Sequence, residues 1–164
     1  MVFIQQALSA YSLKDQFNYD ETALLWKQTP AQSLSTQQLP GQKKEKARLS
    51  ALFCCNADGS KKLEPWFIRN AQNPHALRAA GINIQNFNLI WWSNQKAWMT
   101  TQLFIEFLLW FDSKMTGQKI ALLIDNFSAY YMAVTDILAS QTPLKNTLII
   151  WLPANLTSWY QSLD

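Results

Sequence analysis

Three aspartates stand at or near the ends of apolar, strand-like segments. Asp20 closes Phe17-Asn18-Tyr19-Asp20, Asp125 follows Ile120-Ala121-Leu122-Leu123-Ile124, and Asp164 ends Gln161-Ser162-Leu163-Asp164, shortly after Leu148-Ile149-Ile150-Trp151-Leu152. A carboxylate carried to the end of a buried strand is costly to desolvate unless it is paired or holds a cation. Two or three of them a few ångströms apart repel one another unless a hard cation shares them, and Mg²⁺ or Mn²⁺ accepts such oxygens. Two such ions about 3.5–4 Å apart activate a water or a 3′-hydroxyl and stabilise the leaving oxygen in phosphoryl transfer. Aspartates also cap and turn chains at strand ends, so spacing alone leaves both readings open.

Other chemistry is scarce. His75 is the only histidine; it sits in a polar stretch after Asn73-Pro74, with no nucleophile motif to serve and no zinc-ligand spacing. Cys54 and Cys55 are adjacent within an apolar run, too close along the chain for ordinary disulfide geometry, and read as buried strand residues in a reducing compartment. Residues 27–47 are rich in Gln, Ser, Thr, Pro and Gly and lead into Lys43-Lys44-Glu45-Lys46-Ala47-Arg48. That basic end is either a solvated loop or an arm whose Lys43, Lys44, Lys46 and Arg48 contact phosphates.

The elements that must position these groups follow from periodicity. With 164 residues, 49% hydrophobic and 15% charged, the chain fits one folded domain, and a net charge of +3 is compatible with nucleic acid without indicating it. Eight tryptophans and nine phenylalanines imply an aromatic core or rings facing a partner. The N-terminus lacks a cationic segment followed by an apolar one, which excludes a signal peptide, and the longest greasy run, from Leu103 to Phe111, is interrupted by Glu106 and too short to span a membrane.

Residues 1–16 read as a weakly helical extension, and 17–22 as a short strand entering a turn. Leu49 to Cys55, the turn Asn56-Ala57-Asp58-Gly59-Ser60 and the return Leu63 to Ile68 make a hairpin, with Pro65 predicting an edge strand or a bulge. Residues 70–97 look irregular apart from a short strand at Leu89-Ile90-Trp91-Trp92. A helix capped by Thr100 or Thr101 buries Leu103, Phe104, Phe107, Leu108 and Phe111; a second carries Tyr130, Tyr131, Val134, Ile137 and Leu138 and stops before Pro143. Ile120 to Ile124 and Thr147 to Leu152 are buried strands. The order predicts an α/β fold with a mixed sheet, antiparallel strands first and parallel crossovers after, in which Asp20 lies on the central strand and pairing brings it beside Asp125.

The wording of the motifs goes further. Phe17-Asn18-Tyr19-Asp20-Glu21-Thr22, the stretch from Lys46-Ala47-Arg48-Leu49-Ser50 through Cys54-Cys55-Asn56-Ala57-Asp58-Gly59-Ser60, Ala97-Trp98-Met99-Thr100, Leu122-Leu123-Ile124-Asp125-Asn126-Phe127-Ser128-Ala129, and Leu152-Pro153-Ala154-Asn155-Leu156-Thr157-Ser158-Trp159-Tyr160-Gln161-Ser162-Leu163-Asp164 together resemble, in order, the motifs of DDE transposases of the pogo group, relatives of the jerky and centromere protein B proteins. The resemblance implies a ribonuclease H-like catalytic domain over residues 17–164. It makes Asp20, Asp125 and Asp164 catalytic ligands of Mg²⁺ or Mn²⁺, and DNA the partner. No small-molecule substrate is implied; the location is nuclear, and a complete protein could form a homodimer. The reaction implied is hydrolysis of a DNA phosphodiester followed by strand transfer.

Departures from that pattern bear on activity. Ala23 stands where the family has glycine, which would strain a position of positive φ, and Tyr130 replaces a histidine, removing a possible donor; Ala154 and Ser162 replace prolines. The helix that follows the third carboxylate in the family has no counterpart after Asp164, so the C-terminal helix is expected to be missing and activity to be lost or impaired. The alternative expectation is a non-catalytic DNA-binding or protein-interaction module derived from a transposase.

Overall fold

In the computed structural model, residues 2–25 and 47–153 are described. Their elements in chain order are α1 (Val2–Leu8), β1 (Gln16–Leu25), β2 (Arg48–Asn56), β3 (Trp66–Arg69), α2 (His75–Ala79), a short 3-10 turn at Ile84–Asn86, β4 (Ile90–Ser93), α3 (Thr101–Lys114), β5 (Ile120–Ile124), α4 (Ser128–Ala139) and β6 (Thr147–Trp151). The strands form one six-stranded sheet in the order β4-β3-β2-β1-β5-β6. β1–β2 and β2–β3 are antiparallel, whereas β3–β4, β1–β5 and β5–β6 are parallel. This is a ribonuclease H-like α/β arrangement with flanking helices, and β1 is an interior strand, as predicted.

The continuous apolar run of β5 is buried on both faces. Ile120, Leu122 and Ile124 join the main core beneath α3 and α4, while Ala121 and Leu123 pack with Ile4 of α1, Ile150 and Leu152 on the other side. The five apolar residues predicted for the first long helix are all buried in α3. Thr100 caps that helix, its side-chain oxygen accepting from the Leu103 N–H, and Gly117 takes φ +81° in the turn that follows. The core is aromatic: Phe107 contacts Tyr19 at 4.7 Å, Trp66 at 5.6 Å and Phe111 at 6.0 Å between ring centroids.

Asp112 is the one buried charge in α3. Its carboxylate accepts from the backbone N–H groups of Lys145 (3.0 Å) and Asn146 (2.9 Å) and from the Thr147 hydroxyl (2.8 Å), clamping the start of β6 to the helix. Burial alone would raise its pKa, but these donors outweigh it and hold the carboxyl below the usual range.

Several local expectations are corrected. β1 does not turn at Thr22; it runs on as a ladder with β2 to Leu25↔Arg48. β3 is not an edge, because Pro65 precedes it and β4 pairs along its other side. The stretch after β3 is not wholly irregular: His75 begins α2, where it is exposed. On α4, Tyr131 and Leu138 face outward, and Ala133 takes a place in the core. Cys54 is buried and burial pushes its thiol up, but Cys55 is only half-buried.

Candidate metal and nucleic-acid site

The β1–β5 ladder pairs Gln16 with Ala121, Phe17 with Leu122 and Asn18 with Leu123. That ladder stops at Asn18 and Leu123, two residues before Asp20 and Asp125. Both aspartates line one cleft of about 260 Å³, together with Tyr19, Glu21, Arg48, Trp98, Met99, Phe127 and Tyr130. Asp125 lies one residue beyond β5, where the chain leaves the sheet for α4. Its carboxyl is pushed up, chiefly by burial and then by the charge of Glu21, with a hydrogen bond from the Phe127 N–H offsetting part of the effect. Its Oδ1 is buried without a hydrogen-bond partner. Asp20 Oδ1 accepts from the Glu21 N–H at 2.9 Å.

Glu21 is the site residue that pairing of aspartates does not reveal. Strand alternation puts it on the same face as Phe17 and Tyr19, toward α4. There it accepts from the Tyr130 hydroxyl (3.2 Å) and lies 3.5 Å from the Arg48 guanidinium. The tyrosine that replaces the family's histidine therefore supplies a donor of its own. Burial and the Glu21 charge push the Tyr130 phenol up, so it stays protonated and donating. Ala23 costs no strain, since Ala97 is the only non-glycine residue of positive φ among the described residues.

Arg48 is neither a loop residue nor part of an arm. It opens β2, donates to Ser50 Oγ at 2.8 Å and holds its guanidinium carbon 4.9 Å from the centroid of the Trp98 ring. Lys43, Lys44, Lys46 and Asp164 lie outside the described residues, as does most of the last motif. A larger hollow of about 770 Å³ at the β4 edge, lined by Asn73, Arg78, Asn83 and Trp91 among others, contains none of the predicted site residues.

Among the described residues no three His, Cys, Asp or Glu gather closely enough to hold a metal ion. Two carboxylates at one cleft nevertheless fit a divalent cation. An acceptor-only oxygen buried without a donor, on a carboxyl whose ionised form is disfavoured, is what a cation would relieve. No helix of the described residues is long and apolar enough to cross a membrane.

A mixed sheet of this order, with one aspartate midway along its central strand and another just after the neighbouring parallel strand, is that of a ribonuclease H-like domain. The family profile described as DDE superfamily endonuclease matches residues 46–164. The chain is 41% identical over 160 residues to CENP-B homolog protein 2 of Schizosaccharomyces pombe, covering 98% of this chain and 31% of that protein. It is 39% identical over 147 residues to ARS-binding protein 1 of the same yeast, covering 90% of this chain and 28% of that protein, and 27% identical over 167 residues to the human Jerky protein homolog, covering 93% and 28%. No solved structure matches. The chain belongs to the DDE superfamily endonuclease family, and it spans less than a third of the length of these relatives.

Proposed function

We propose that this domain binds DNA and cleaves its phosphodiester bonds with the help of divalent cations held at Asp20 and Asp125, Asp164 serving as the third ligand. The observation that supports the reading is that Asp20 and Asp125, from well-separated motifs, line one cleft just beyond the β1–β5 ladder. Bound there, Mg²⁺ or Mn²⁺ would neutralise charge on the phosphate and lower the pKa of an attacking water.

The chain's own groups supply the rest. Asp20 and Asp125 offer acceptor oxygens that hold a cation without competing as nucleophiles. Arg48, already in the cleft, is a fixed donor fork of the kind that suits a phosphate oxygen. Tyr130 keeps Glu21 hydrogen-bonded beside Asp125, so that the cleft's third acid is held in place. The names of the relatives, centromere protein B homologues and an ARS-binding protein, support DNA as the partner and the nucleus as the place of action.

The test is titration of the full chain with Mn²⁺ by calorimetry. Binding that is lost in both Asp20→Asn and Asp125→Asn supports the reading. Binding unchanged in both variants would move the cation elsewhere. A domain that binds DNA equally well without either carboxylate and never cleaves it would instead be a non-catalytic DNA-binding module.

A further inference from the structure

Trp98 is held in the cleft at a cost. The preceding residue, Ala97, takes φ +53°, a left-handed conformation that residues with a Cβ seldom adopt. Two side chains fix this conformation. Asn94 accepts from the N–H groups of Lys96 (3.2 Å) and Trp98 (3.3 Å) and donates to the Trp98 carbonyl at 2.6 Å; Ser50 donates to the Ala97 carbonyl at 2.9 Å. Ala97 and Met99 are buried on either side, at 2% and 5% exposure, yet Trp98 between them is 50% exposed. Core packing therefore accounts for its neighbours and not for the indole.

What lies against the indole is Arg48, whose guanidinium covers one face of the ring. A planar group of that size leaves the rest of the indole open, at a cleft that also holds Asp20 and Asp125. Strain stored to present a half-exposed aromatic surface beside a charged fork is a feature of ligand sites. A flat, π-rich partner attached to a phosphate meets both groups at once: its ring stacks on the indole while its phosphate lies toward Arg48 and the carboxylates.

We propose that Trp98 is a stacking platform for an unpaired nucleobase adjoining the phosphodiester held at Asp20 and Asp125. The proposal rests on the nuclease reading and deepens it: the substrate class becomes DNA with a base unstacked next to the reacting phosphate. Arg48 presets the plane of the indole, so that the base meets a fixed surface. Stacking accepts any base, so Trp98 contributes affinity and placement rather than sequence choice.

The test uses the full chain in Ca²⁺ with short duplexes carrying 2-aminopurine at successive positions, read by fluorescence and by anisotropy. For the wild type, 2-aminopurine responds at one position, marking the unstacked base. Trp98→Ala loses that response and binds about tenfold more weakly, with the slope of affinity against salt unchanged, because no phosphate contact is removed. Trp98→Phe keeps the response and most of the affinity, which separates stacking from a general loss of structure. Trp98→Ala binding and responding as the wild type does, while the wild type binds and cleaves DNA, overturns the stacking platform alone. A wild type that binds no DNA even at low salt overturns the nuclease reading together with it.

Discussion

Tyr130 donates its hydroxyl to Glu21 Oε2 at 3.2 Å, tying the first turn of α4 to the central strand beside Asp125. The same ring stacks on Phe104 at 4.2 Å and meets Tyr19 edge-on at 5.5 Å. One side chain thus joins the aromatic core to the acidic cleft. Tyr130→Phe keeps the stacking and removes the donor. It should lower stability by about 1 kcal/mol, the usual net worth of a hydrogen bond, measured by urea unfolding. Unchanged stability would show that water replaces the phenol at Glu21 without loss.

Asp112 gives a pH-dependent prediction with a definite sign. Its folded pKa is lowered, so its contribution is present above the ordinary carboxylate range and is lost as pH falls through the lowered value. Asp112→Ala should cost about 3 kcal/mol at neutral pH, since it leaves the Lys145 and Asn146 N–H groups without their acceptor. The stability of this variant should also fall less steeply in acid than that of the wild type. Parallel acid curves would assign the acid sensitivity to other carboxylates.

The left-handed Ala97 predicts that bulk at this position is costly. Ala97→Val places a β-branched residue at φ +53° in a buried setting, and should destabilise the domain by about 2 kcal/mol in thermal or urea unfolding. A neutral outcome would mean that the loop relaxes to another conformation, and Trp98 would then lose its fixed position.

Much of this architecture is legible in the residues. The five apolar positions of α3, the Thr100 cap, the turn at Gly59 and the doubly buried β5 all follow from local periodicity and turn chemistry. What was not legible depends on partners distant in sequence. Pro65 marks the start of β3 correctly, but only the pairing with β4 makes that strand interior. Tyr131 and Leu138 satisfy helical spacing and still face outward, because the sheet covers a narrower stripe of α4 than their period suggests. Arg48 resembles the end of a basic loop until its ladder partner Leu25 is seen. Glu21 enters the site only when strand alternation is combined with the docking of α4. The aspartates could be found from their motifs, whereas Trp98 required the backbone of Ala97.

Arg48 separates phosphate contact from metal binding. Arg48→Ala should weaken DNA binding across all sequences and reduce the salt slope by about one, with Mn²⁺ affinity retained. A salt slope equal to that of the wild type would confine Arg48 to its contacts with Ser50, Glu21 and Trp98.

Metal-dependent cleavage at Asp20 and Asp125 is tested by nicking of supercoiled plasmid by the full chain in Mn²⁺, compared with Asp125→Asn and with chelator present. The expected result is metal-dependent nicking that disappears in chelator and in the Asp125→Asn variant, while circular dichroism shows that variant folded. Nicking at the wild-type rate by folded Asp125→Asn protein would contradict it.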